Sequence, residues 1–208
     1  MNGVQCFTVD SKHGLSPIGN TNRLLHFNQT TPPIGADHTG SQVQFSNNGD
    51  RLFAEWKGVN GSSTDLGFIA VWNVSSNGAL SPSHDRTNGG GQIFSMTPVP
   101  GTDAFLTSDP TRGFEVWDFM GGTTANVING HISGQNDSCW SIFSHRSGTY
   151  FITDRLKATV FEVALNKELQ GSVVGKYLFP DFSELLDIGI AKISGNEYVQ
   201  LSSLDQLF

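Results

Sequence analysis

A strand pattern written between Ser41 and Pro82 returns along the chain, and this recurrence constrains the fold more than any other feature of the sequence. The stretch reads as three strands, Gln42 to Ser46, Arg51 to Lys57 and Gly67 to Val74, each rich in aromatic or β-branched residues. Asn47-Asn48-Gly49-Asp50 turns the first strand into the second, because Asn, Gly and Asp accept the positive φ that bulkier residues resist. Phe45-Ser46, Phe94-Ser95 and Phe143-Ser144 follow at two equal steps of 49 residues. Gly67-Phe68-Ile69-Ala70-Val71-Trp72 returns as Gly113-Phe114-Glu115-Val116-Trp117 and more faintly as Thr159-Val160-Phe161-Glu162-Val163. Trp72, Trp117 and Phe161 are therefore expected at one place in the third strand, as packing between sheets. The head of the chain carries the pattern too: Gly3 to Val9, closed by Gly14-Leu15-Ser16-Pro17, matches Gly67 to Val74, closed by Ala79-Leu80-Ser81-Pro82.

A repeat of roughly 40–50 residues holding about four strands is the pattern of β-propeller blades. A β-sandwich also has short strands and frequent turns, but several features recurring in one order favour the propeller. The fold class expected is all-β, an incomplete propeller of about four blades. The layout is a half-blade at 3–27, blades at about 41–87, 92–132 and 139–179, and a half-blade at 185–203. The first hairpin turn of the second blade, Pro98 to Asp103, reads as longer than its counterparts. The two half-blades are complementary and would close a four-bladed ring; a portion of a larger ring is the preferred reading, with apolar blade faces open at both ends.

Composition narrows the function classes. The net charge is −7, and the 12 Lys and Arg are scattered without a basic run, which argues against nucleic acid as a partner. No apolar stretch reaches the length of a membrane span, and the N-terminus lacks the charged-then-apolar pattern of a secretion signal. Four Asn-x-Ser/Thr triplets nonetheless fit the glycosylation acceptor; Asn28, Asn60 and Asn136 fall in expected loops and Asn73 near a strand end. Cys6 and Cys139 lie in different blades, and the spacing leaves their pairing open.

The sequence resembles the lactonase-like seven-bladed propellers, the family of bacterial 6-phosphogluconolactonases and fungal 3-carboxy-cis,cis-muconate lactonizing enzymes (3-carboxymuconate cyclases), and is most similar to secreted or cell-wall fungal members. The residues that carry the resemblance are Gly3 to Asp10 with Gly14-Leu15, Gln42 to Ser46 with the turn at Gly49, Gly67 to Trp72 with Gly78 and Leu80-Ser81, and Tyr150 to Asp154. The resemblance implies a seven-bladed parent of which this chain is a little over half, located outside the cell or in the cell wall. No cofactor is implied. These motifs specify architecture more than chemistry.

In such rings, the loops leading into the first strand and those joining the second strand to the third gather on one face around the channel. On this sequence they bring Lys57, Asp109, Arg112, Asp154 and Arg155 together, with His38, Asn136, Asp137 and Asp187 on the lead-in loops. Asp109, Asp154 and Arg155 are the catalytic candidates, and Lys57 and Arg112 the binders of an anionic substrate, since guanidinium groups grip carboxylates in a fork with an acid or base alongside. The competing reading makes them solvated loop charges and turn-forming aspartates. His13, His26, His38, His84, His131 and His145 have no ligand-like spacing, so no metal is expected. Ser141 and Ser144 lack the sharp turn that presents a nucleophile. The functions in contention are lactone chemistry on a carboxylated small molecule, a non-catalytic secreted or cell-wall propeller that binds a cell-surface ligand, and a fragment that has lost the function of its parent.

Overall fold

Strands apolar on both sides become the middle of each sheet. Arg51–Trp56 is buried along its whole length and Phe68–Asn73 along all but its last residue, as expected of strands covered on both faces. The structure is a computed structural model that describes residues 3–26, 30, 32–180 and 184–203. In chain order the strands are β1 (Gly3–Val4), β2 (Phe7–Asp10), β3 (Gly14–Pro17), β4 (Arg23–Leu24), β5 (Gly40–Phe45), β6 (Arg51–Trp56), β7 (Phe68–Asn73), β8 (Asp85–Asn88), β9 (Ser95–Pro98), β10 (Ala104–Asp109), β11 (Gly113–Asp118), β12 (Asn126–His131), β13 (Ser138–Ser144), β14 (Thr149–Asp154), β15 (Thr159–Leu165), β16 (Gly171–Leu178), β17 (Leu185–Ile193) and β18 (Asn196–Ser203). β5 to β8, β9 to β12 and β13 to β16 form three four-stranded antiparallel sheets in simple up-and-down order. β1 pairs with β4, β2 with β3, and β17 with β18, each as a separate two-stranded sheet.

Packing runs seam by seam. Leu52, Ala54, Trp56 and Trp72 of the first full sheet pack on Val4, whereas Phe53, Ile69 and Val71, on the opposite face, meet Met96, Phe105, Trp117 and Phe119 of the second. Leu106, Phe114 and Val116 in turn meet Tyr150, Ile152, Phe161 and Val163 of the third, and Val160 meets Leu185 and Ile188. At the second seam Phe53 lies 4.9 Å from Phe105 and 4.7 Å from Phe119, both tilted, so that the rings interlock. The first strands of the sheets are stitched by polar groups: Gln42 exchanges hydrogen bonds with the main chain of Met96, and the hydroxyls of Ser95 and Thr97 both lie 2.7 Å from Ser141 Oγ.

The register corrects two expectations. Phe45 pairs with Leu52, Pro98 with Phe105 and Phe143 with Tyr150, so Pro98, not Phe94, occupies the position of Phe45 and Phe143. Phe94 lies four residues earlier, at the channel end, and the equal spacing of the Phe-Ser pairs does not mark equivalent places. The turn after Pro98 is consequently no longer than the others, with Val99 N bonded to Ala104 O just as Ser46 N is bonded to Arg51 O. Similarly, Trp72 and Trp117 stand opposite Leu52 and Phe105, but the matching residue opposite Tyr150 is Val163. Phe161 sits two residues closer to the channel, level with Glu115. Both cysteines are free thiols, and Asn28 lies outside the described residues.

Candidate functional site

β10 and β14 both end on a fully buried aspartate. Asp109 accepts hydrogen bonds from the amides of Gly91 (2.5 Å), Gln92 (3.2 Å) and Thr111 (2.7 Å) and from the Thr111 hydroxyl (2.7 Å). Asp154 accepts from the amides of Asn136 (2.7 Å) and Asp137 (3.1 Å). Each carboxylate thus ties its own sheet's lead-in loop to the end of the second strand. In the first full sheet the same place is held by Trp56.

Lys57 follows Trp56 and continues the strand direction through its amide, bonded to Thr39 O at 3.0 Å. Its side chain, in a residue only 9% exposed, places Nζ 4.2 Å from the centre of the Phe94 ring, which also meets Trp140 edge-on. Burial depresses the Lys57 pKa, opposed by Glu55, Cys139 and Asp137. Glu55, two residues earlier and on the same face of the strand, is fully buried with no hydrogen bond to either oxygen. Ser41 Oγ is nearby but donates to the Ile93 carbonyl. Burial pushes the Glu55 pKa up to about 8, the nearby Lys57 and Ser41 pulling it down and Asp109 adding to the rise.

Arg155 lies across the channel end on the third full sheet. Its Nε meets Asp137 Oδ2 at 2.6 Å, its Nη1 meets Glu184 Oε2 at 3.4 Å, and its amide donates to the Asp137 carbonyl. Cys139 lies within electrostatic reach of Asp137, Arg155, Lys57 and Asp187; burial first, then Asp137, pushes its pKa up to about 11, so it remains a thiol. Arg112 is turned toward the outer strand β12, bonded to Asn129 Oδ1 at 2.9 Å and 3.8 Å from Glu115. Buried Glu115 accepts from Thr107, which accepts from Trp117 Nε1, and burial together with the Asp109 charge holds its pKa well above the usual range.

Of the five charged candidates, Lys57 and Arg155 both act on the Cys139 thiol, Asp109 and Asp154 anchor the lead-in loops, and Arg112 turns to β12. Asn60 and Asn136 are exposed on loops. Among the described residues, no three His, Cys, Asp or Glu are grouped to hold a metal ion. Sequence reading missed Glu55 and Phe94. Glu55 breaks an otherwise apolar strand, a detectable signal; Phe94 was masked by its false register.

No protein-family model and no curated protein matches the sequence. Solved structures do match in three dimensions. The periplasmic gluconolactonase of Pseudomonas aeruginosa superposes with a TM-score of 0.58 at 15% identity, over 77% of this chain and 49% of that one. A Bacteroides fragilis protein provisionally named a 6-phosphogluconolactonase gives 0.63 at 13% identity, over 98% of this chain and 61% of that one. An auxiliary nutrient binding protein from Bacteroides ovatus gives 0.53 at 14% identity, over 83% and 43%. The fold is a β-propeller. The chain spans from 43% to 61% of the length of these three structures.

Proposed function

We propose that this propeller takes up a carboxylated sugar lactone at the channel end of its blades and opens the ring by hydrolysis. Arg155 binds the substrate carboxylate, which replaces Glu184, the more distant of its two acidic partners. Lys57 polarises the lactone carbonyl and stabilises the oxyanion, and Asp137 accepts the proton of the attacking water. Asp109 and Asp154 position the loops that carry these groups. The observation behind this reading is the Arg155–Asp137 pair at 2.6 Å on the third blade together with the largely buried Lys57, its Nζ 4.2 Å from the Phe94 ring centre, both of which act on Cys139. The likeness to two lactonase-named structures agrees with it. The same groups could run the reverse, lactonizing direction on a carboxylated muconate. A location outside the cell or in the cell wall fits the exposed Asn60 and Asn136 triplets.

The test is hydrolysis of a sugar lactone that bears a free carboxylate, glucaro-1,4-lactone, followed by acid release at constant pH, with neutral glucono-1,5-lactone as the comparison. Saturable turnover above the buffer rate, lost in Lys57→Met and Arg155→Met variants that still unfold cooperatively, supports the proposal. Binding of sugar acids without turnover supports the second reading, a non-catalytic binding propeller, which the likeness to the nutrient binding protein favours.

A further inference from the structure

Lys57 and Glu55 share a condition that ring hydrolysis does not explain. Each residue is at least nine-tenths buried; both Glu55 oxygens are sealed without a hydrogen-bond partner, and Lys57 Nζ rests on the Phe94 ring. A buried ammonium ordinarily collects acceptors for its three N–H groups, because leaving them unmade is costly. Lys57 has the π face of Phe94 instead. Of the two carboxylates that act on it, Glu55 and Asp137, the second is committed to Arg155. The fraction of Lys57 that is deprotonated gives up no hydrogen bond to the described residues and presents a free lone pair, the state in which lysine acts as a nucleophile, whereas the protonated fraction is the one that can polarise a carbonyl. Glu55, on the same face of the strand and with both oxygens unpartnered, is the adjoining proton store.

We propose that Lys57 captures the carbonyl group of a small aldehyde or keto acid as an imine, with Glu55 supplying the proton that completes the condensation and Arg155 holding the acid's carboxylate. The Lys57 nitrogen lone pair forms the C–N bond while the carbonyl electrons move to oxygen, and a proton passes from nitrogen to that oxygen, leaving a carbinolamine. Glu55 then protonates the hydroxyl, the C–O bond breaks with loss of water, and nitrogen closes the C=N bond. The remaining N–H proton returns to Glu55, so that amine and carbonyl give imine and one water with no oxidant or reductant. This inference rests on the geometry of Lys57 and Glu55 and holds whether or not a lactone is hydrolysed.

The experiment is treatment of the full chain with glyoxylate and sodium cyanoborohydride at pH 7.5, followed by peptide mapping of carboxymethylated lysines. Labelling at Lys57 is expected to outrun that at the exposed Lys12 and Lys192 by about tenfold or more, the reverse of what accessibility alone gives. The comparison lies within one wild-type sample and needs no variant. Glu55→Gln is expected to slow labelling at Lys57 about tenfold and leave the other lysines unchanged. Labelling at Lys57 no faster than at the exposed lysines overturns the proposal, and an unchanged rate in Glu55→Gln overturns the role of Glu55. Adduct without lactone turnover retains this inference and removes hydrolysis; turnover without adduct does the opposite.

Discussion

Arg51 reaches from the first full blade to Asp103 of the second and meets it as a two-pronged fork, Nη1 to Oδ2 at 2.6 Å and Nη2 to Oδ1 at 2.8 Å. The same guanidinium donates to the Gly122 carbonyl at 2.7 Å and to Asp50 at 3.1 Å, and its side chain is only 8% exposed. Removing it strands Asp103 and a carbonyl at a blade seam. Arg51→Met should lower unfolding free energy by about 3 kcal/mol, and Arg51→Lys should recover little, because an ammonium cannot reproduce the planar fork. Urea denaturation of the two variants measures both.

Stability should fall as pH rises from about 4.5 to 8. Glu55 ionises near pH 4.5 when unfolded and near 8 when folded, so within that window the folded chain holds a proton that the unfolded chain has lost. Glu115, also shifted upward, acts in the same sense. The carboxylates of Asp10, Asp50 and Glu197 are shifted downward and act below the window. Half-buried His84, shifted downward, opposes the trend below about pH 6.5. Glu55→Gln should flatten the profile, and the difference between its melting temperatures and those of the wild type from pH 5 to 8 isolates this residue.

Asp109→Ala removes the acceptor for three amides and a hydroxyl and should cost on the order of 3 kcal/mol. Hydrogen exchange should accelerate first at Gly91, Gln92 and Thr111. Asp109→Asn should cost less, and by deleting a nearby negative charge should bring the Glu55 pKa down from about 8, which shifts the pH profile to lower pH.

Gly130 lies on β12 against the ring of Phe114, where an added Cβ would run into Cε2 and Cζ. The ring is pinned from the other side by Gly171 of the third blade. Gly130→Ala should therefore destabilise by about 1–3 kcal/mol despite its better strand propensity, and Gly130→Ala with Phe114→Leu should recover part of the loss. A thermal unfolding cycle on the four proteins tests the contact.

Alternation and turn chemistry made the strands readable: Gly49 does take the positive φ of a hairpin turn, 75°, and Trp72 and Trp117 are fully buried at equivalent places. Register was less legible. A strand can slide by an even number of residues and keep the same face inward, so Phe94 and Phe161 looked equivalent to residues four and two positions away from their true matches. At the site, charge in a loop was visible but its direction was not. Arg112 and Arg155 look alike in sequence beside Asp109 and Asp154, yet one turns outward to Asn129 and the other toward Asp137. Glu55 and Glu115 stand out as charges within apolar strands, but their complete burial was hidden, because only the neighbouring blade defines it.

The amides that Asp109 and Asp154 hold belong to the backbone of the lead-in loops, and every residue except proline offers one. The clasp therefore reads no side chain. Substitutions at Gln92, Asn136 or Asp137 can redraw the rim facing the channel while the clasp keeps its grip, so the wall of the channel and the chemistry presented on it can diversify independently.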